Sequence, residues 1–280
     1  MRFGKNFHSS SPYLHYVCGA IAVASTIESL YNLQVEEVDK EAFSPQDFIN
    51  CAYSTKGRGD DKKAQNVEIV PVKILSKLYK HARDEGLSRE RECPFQNGIK
   101  FPCNKKKSPQ LARLGNIFDG ELTEEELLKL VAKHPVNAVV EMDYAFIKLK
   151  KDVIYKKDEI KKCEYESSKQ SKKSKDKAKA PQNHSVLEHA IVVAGYGTKK
   201  GVNYWIIRNS YGTTWGDGGY GLLMRSSSSN NSSVFKNVSF AEIIVDNRKR
   251  KEPESTTLTN FWNSWFKRQG EKEMKMQKLR

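Results

Sequence analysis

A cysteine-bearing segment, Cys18-Gly19-Ala20-Ile21-Ala22-Val23-Ala24-Ser25, opens the chain, and an imidazole and a carboxamide follow far downstream in Leu187-Glu188-His189-Ala190 and Trp205-Ile206-Ile207-Arg208-Asn209-Ser210-Tyr211-Gly212. A thiol beside an imidazole can serve nucleophilic catalysis, in which the base takes the thiol's proton and the sulfur adds to a carbonyl. The histidines are scattered and the cysteine spacings fit no zinc pattern, so no metal or other cofactor is expected.

Cys18 stands more than a hundred residues before His189 and Asn209 in sequence, so any joint role depends on the fold. From Ala20 to Leu33 apolar residues lie on nearly every side, which predicts a buried helix rather than an amphipathic one. Ser44 before Pro45 predicts a short helix with a hydroxyl cap and a proline in its first turn. Val67 to Glu85 carries Val70, Ile74, Leu78 and Tyr79 at helical spacing and ends at Gly86, a C-terminal cap. Thr123-Glu124-Glu125-Glu126 is a capping box ahead of Leu127, Leu128, Leu130 and Val131. After Pro135 the period becomes strand-like, with β-branched or aromatic runs at Val136–Met142, Ala190–Tyr196, Tyr204–Arg208 and Tyr220–Met224 separated by glycine-rich turns.

The chain of 280 residues is 38% apolar, enough for one large domain or two lobes, and carries 48 basic against 34 acidic residues, a net +14. Much of that excess lies in a Lys/Ser-rich insert, 156–185, and in a tail, 248–280, where Arg248-Lys249-Arg250-Lys251 precedes Phe261, Trp262, Trp265 and Phe266. Mobile polybasic segments attract polyanions such as glycosaminoglycans, nucleic acid or anionic membrane. Asn230, Asn231 and Asn237 sit in N-x-Ser acceptor patterns. No apolar run reaches the length of a membrane span, and Met1 to Asn6 has no apolar stretch behind it, which reads as the lack of a signal peptide and propeptide.

The ordered motifs resemble the papain-type, cathepsin-like cysteine peptidases. There the first segment reads roughly Cys-Gly-Ser-Cys-Trp-Ala-Phe-Ser, with the second cysteine as attacking thiolate; laid residue on residue, Ile21 takes that place. Phe43-Ser44-Pro45-Gln46-Asp47-Phe48-Ile49-Asn50-Cys51 is similar to the family's Leu-Ser-x-Gln-x-Leu-Val-Asp-Cys helix. His134 to Val140, Ala190 to Gly197 and Thr213 to Gly221 follow in the family's order, so the likeness runs from about Pro12 to Val245. It implies an α+β, two-lobe fold with a helical N-terminal lobe, an antiparallel β-barrel-like C-terminal lobe and a substrate cleft between them. The implied domains are an extension 1–11, a peptidase domain 12–247 that is mainly helical over 12–120 and mainly β over 121–247, and the tail. A lysosomal or extracellular place is also implied.

Residue by residue, the resemblance makes His189 the base, Asn209 the acceptor of its ring N–H and Trp215 the shield of that bond. Tyr211 replaces the tryptophan after Asn-Ser, Ala22 the one after the nucleophile, and His15 the oxyanion-hole glutamine six residues before it. Arg58-Gly59-Asp60-Asp61 stands at the substrate-binding edge. Cys51 pairs with Cys103. Cys18 matches a bridging cysteine placed outside the helix start and turned from the imidazole, but its partner position holds Arg58. Cys163 lacks a partner, and Cys93 has no counterpart in that pattern, which leaves open a bond to Cys18 or a short loop with Cys103. A hydrocarbon at position 21 has no lone pair, so the expectation is a catalytically inactive homologue, a monomeric binding or regulatory pseudopeptidase with a peptide or protein ligand. The alternatives are an active endopeptidase with a displaced nucleophile, and an anion-binding module on a dead peptidase scaffold.

Overall fold

A helix that is apolar all round has no face to give to water, and α1 (Leu14–Asn32) is buried from Val17 to Tyr31 with the exception of Ser29. The computed structural model describes residues 14–52, 71–96, 101, 112–156, 187–225, 233–246 and 249. α1 begins earlier than the apolar pattern predicts, so Cys18 lies inside the helix and not ahead of it.

Ser44 caps α2 (Pro45–Asp47) by accepting from the Asp47 N–H at 3.1 Å, and the chain widens at once into a π turn over Phe48–Ala52. α3 (Pro71–Glu85) presents Leu75, Leu78, Tyr79 and Ala82 inward and stops at Gly86, whose φ of 83° suits the left-handed cap. The start expected at Val67 lies outside the described residues. The capping box forms at Thr123, ahead of α4 (Glu124–Val131), with both reciprocal bonds present. Asp143 caps a single turn, α5 (Tyr144–Ile147).

Among the described residues seven strands make one sheet: β1 (Ala112–Gly120), β2 (Val136–Met142), β3 (Ile154–Tyr155), β4 (Leu187–Lys199), β5 (Val202–Arg208), β6 (Tyr220–Met224) and β7 (Asn237–Val245). Their order is β1-β7-β2-β4-β5-β6-β3, and β3 runs parallel to β6 while the other pairs are antiparallel. The α+β class holds, but the sheet is mixed and open, with β1 and β3 at its edges, where a barrel-like antiparallel lobe was expected.

Helices α1 and α3 pack together and against the sheet, α1 chiefly on β4 and α3 chiefly on β1. Polar bonds cross between the layers. Tyr79 donates to Asn137 Oδ1 at 2.6 Å, and Gln34 Nε2 reaches the carbonyls of Leu30 and Ile243 at 3.1 and 3.2 Å. Asn237, read as a glycan acceptor, is buried in β7, where its Nδ2 donates to Asp119 Oδ1 at 2.7 Å and to Ser239 Oγ at 3.1 Å. Beyond β7, Lys249 returns to the loop after α1 and pairs with Asp39 at 2.8 Å. Among the described residues no helix is long and apolar enough to cross a membrane.

Candidate active site

Antiparallel pairing of β4 with β2 sets Val140 opposite His189 and Val139 opposite Ala190. Pairing with β5 begins only at Val192, opposite Arg208. His189 therefore sits where one side of β4 is still open, and the next residue after Arg208 is Asn209. That offset brings the two side chains together: His189 Nε2 lies 2.7 Å from Asn209 Oδ1, with His189 fully buried and Asn209 nearly so.

The amide's orientation follows from its other contact. Ser210 N–H donates to the same Asn209 oxygen at 2.7 Å, which identifies that atom as the carbonyl oxygen rather than the amide nitrogen. An oxygen that only accepts requires a hydrogen on Nε2, which leaves Nδ1 as the basic nitrogen of the neutral ring. The Asn209 backbone is held in turn by Gly219 O at 3.0 Å.

Aromatic rings enclose the pair. Tyr211 lies 5.1 Å from the His189 ring, tilted by 40°, and Phe146 meets His189 edge-on at 6.1 Å. Trp215 packs on Phe146 at 5.5 Å and on Tyr211 at 6.3 Å, and its Nε1–H donates to Phe146 O at 3.1 Å. Gly221 makes room for that indole: a Cβ there would stand 2.5 Å from Trp215 Cη2. Trp215, expected to cover the His189–Asn209 bond, packs on Phe146 and Tyr211, two rings that themselves meet His189. Phe146 escaped the sequence reading because it sits on a one-turn helix in no motif; the Asp143 cap was its only local signal.

Cys18 departs most from expectation. It is no disulfide sulfur, and it does not turn away from the imidazole's strand. The backbone N–H of Ala190, the residue after His189, points toward the Cys18 thiol, as do those of Gly19 and Cys18 itself. Burial pushes the thiol up to about 11, and those N–H groups pull it partly back. Tyr211 also feels the Cys18 charge, after burial, and its phenol is raised. Ile21 is packed in the apolar core, 5% exposed. The His15 side chain, the 58–61 edge, the insert apart from Lys156, and the tail apart from Lys249 lie outside the described residues.

Cys93 is also a thiol, so neither its bond to Cys18 nor its loop with Cys103 forms. Cys51 is disulfide-bonded; Cys103 and Cys163 lie outside the described residues. Among the described residues no cluster of histidine, cysteine and carboxylate side chains is arranged to hold a metal ion.

A family profile described as Papain family cysteine protease matches residues 16–242. The chain is 32% identical over 212 residues to a probable cysteine protease of Arabidopsis thaliana, RDL6, covering 74% of this chain and 49% of that protein. It is 26% identical over 212 residues to pro-cathepsin H of Bos taurus, covering 74% and 53%. The chain thus spans about half the length of the curated relatives it matches. The bromelain protease of Ananas comosus superposes with a TM-score of 0.58 at 22% identity, covering 85% of this chain and 93% of that one. A cysteine protease of Carica candamarcensis gives 0.56 at 20% identity, covering 85% and 92%.

Proposed function

Because the chain belongs to the papain family of cysteine proteases, we propose that it hydrolyses peptide bonds with Cys18 as the nucleophile, His189 as the base and Asn209 as the group that orients the imidazole. The observation that carries this reading is the Ala190 N–H directed at the Cys18 sulfur, since Ala190 adjoins the histidine whose far nitrogen is bound to Asn209. A thiol raised to about 11 is protonated at neutral pH, so its proton passes to the imidazole as the sulfur attacks and not beforehand. The acyl group then rests on Cys18 while the imidazolium returns a proton to the departing amine, and water completes the cycle.

Reading the family's Cys-Trp-Ala-Phe-Ser onto Cys18-Gly19-Ala20-Ile21-Ala22 supports the same assignment: Ala20 matches alanine, and Ile21 becomes an apolar core residue in the place of phenylalanine. In this register the oxyanion-hole glutamine falls on Pro12, which offers no side-chain donor. Stabilisation of the developing oxyanion then rests on backbone N–H groups, and turnover is slower than a complete hole would give, by about 10²-fold.

A second reading, a homologue that binds peptides without cutting them, is favoured by one observation: Cys18 is 2% exposed with a raised pKa, the environment of an inert thiol. An epoxide-type thiol probe followed by mass mapping separates the two. Labelling at Cys18 that disappears in His189→Ala, together with peptide hydrolysis lost in Cys18→Ala and not regained in Cys18→Ala/Ile21→Cys, is the expected result. An unlabelled Cys18 with no hydrolysis across a fluorogenic peptide library establishes the binding homologue instead.

A further inference from the structure

Tyr211 donates its hydroxyl to Met142 Sδ at 3.3 Å, and each of these side chains is 2% exposed. Met142 ends β2 in register with Leu187, two residues before His189 on the partner strand. The sulfur and the imidazole are therefore carried by one pair of strands, whereas the phenol comes from the loop after β5. The ring so tethered is the one that lies 5.1 Å from His189, within the range of interacting aromatic pairs.

A tryptophan, which the family motif carries at this place, has only its indole N–H to donate. The phenol and the thioether are thus a matched substitution: exchange at position 211 creates a hydroxyl that requires a buried acceptor, and Met142 supplies one. Methionine is flexible and polarizable enough to follow the ring without imposing a strict geometry. In such a pair the strands fix the sulfur, the sulfur fixes the ring plane, and the ring plane limits how far the imidazole can swing from Asn209 Oδ1.

We infer that Met142 is a positioning residue, whose thioether holds the Tyr211 ring against His189 and so fixes the imidazole toward Asn209. The kinetic part of this inference rests on the catalytic reading above; the structural part does not. Met142→Leu keeps the volume and removes the acceptor, while Tyr211→Phe keeps the ring and removes the donor. Each is expected to move the His189 ring-nitrogen NMR signals relative to wild type at fixed pH. Each is expected to lower kcat about three- to tenfold with KM unchanged. The double variant should do no more than either single one, because the bond is lost only once.

Additive effects in the double variant, or ring-nitrogen signals that do not move in either single variant, would overturn the inference. Thermal unfolding of all three variants identifies any that do not fold, and Tyr211→Trp then serves in place of Tyr211→Phe, with the same expected shift. If the wild type hydrolyses nothing, the catalytic reading fails while the NMR comparison still decides the role of Met142.

Discussion

Burial of the Cys18 thiol ties the fold's stability to alkaline pH. Its value rises from 9.0 to about 11, so between those limits the folded chain keeps a proton that the unfolded chain gives up. The contribution is complete below pH 9 and is lost as pH rises toward 11, by about 2–3 kcal/mol in all. Urea unfolding from pH 8 to 11 should therefore show a steeper decline for wild type than for Cys18→Ser. His134 acts in the opposite direction: burial lowers its imidazole from 6.5 to about 4, with its Nδ1 against Pro135 O at 2.9 Å. Its contribution is present above pH 6.5 and is lost as pH falls toward 4, so His134→Gln should flatten the acid limb. On the catalytic reading, Asn209→Ala should cost about 10²-fold in kcat, seen in steady-state hydrolysis. The contact between His189 and Asn209 was legible because their motifs are dense in glycine and aromatic residues that fix one register. Cys18 was not. The family segment holds two cysteines three residues apart and this chain keeps one, so Gly19 and Ser25 fit one register while Ala20 and Ile21 fit the other.

Elements announced by capping chemistry were read well, since a cap is a local bond between named atoms. Thr123→Ala should destabilise the protein by about 1 kcal/mol in a denaturant titration, through the exposed Glu126 N–H at the start of α4. The runs at Val136–Met142 and Tyr220–Met224 became β2 and β6 with the same bounds, because nothing interrupts their strand pattern. β1 was missed for a physical reason: Gly115 lacks a side chain, and the register with β7 shifts between Leu114 and Ile117, so the two-residue alternation breaks midway. β3 is two residues long and carries no period at all. β7 was hidden behind the Ser-Asn tract, although its Phe240, Ile243 and Val245 are buried.

Across the whole molecule, polar contacts between distant segments join what the sequence presents as separate stretches. Tyr79 on α3 and Asn137 on β2 share one bond across the interior, and Tyr79→Phe should cost about 1–3 kcal/mol in equilibrium unfolding by leaving the Asn137 oxygen without that donor. The progression from helices to strands was visible in the change of period after Pro135. The course of the sheet was not, since β7 stands between β1 and β2 and no local pattern records that choice. The same non-local pairing gives Asn237 a further meaning. Its amide nitrogen is the atom to which an oligosaccharide would be joined, yet the finished fold engages it with Asp119 and Ser239. In a host that attaches sugars during synthesis, a carbohydrate chain at this position would mark molecules that never closed their sheet, so glycopeptide mapping would serve as a quality-control assay for the fold.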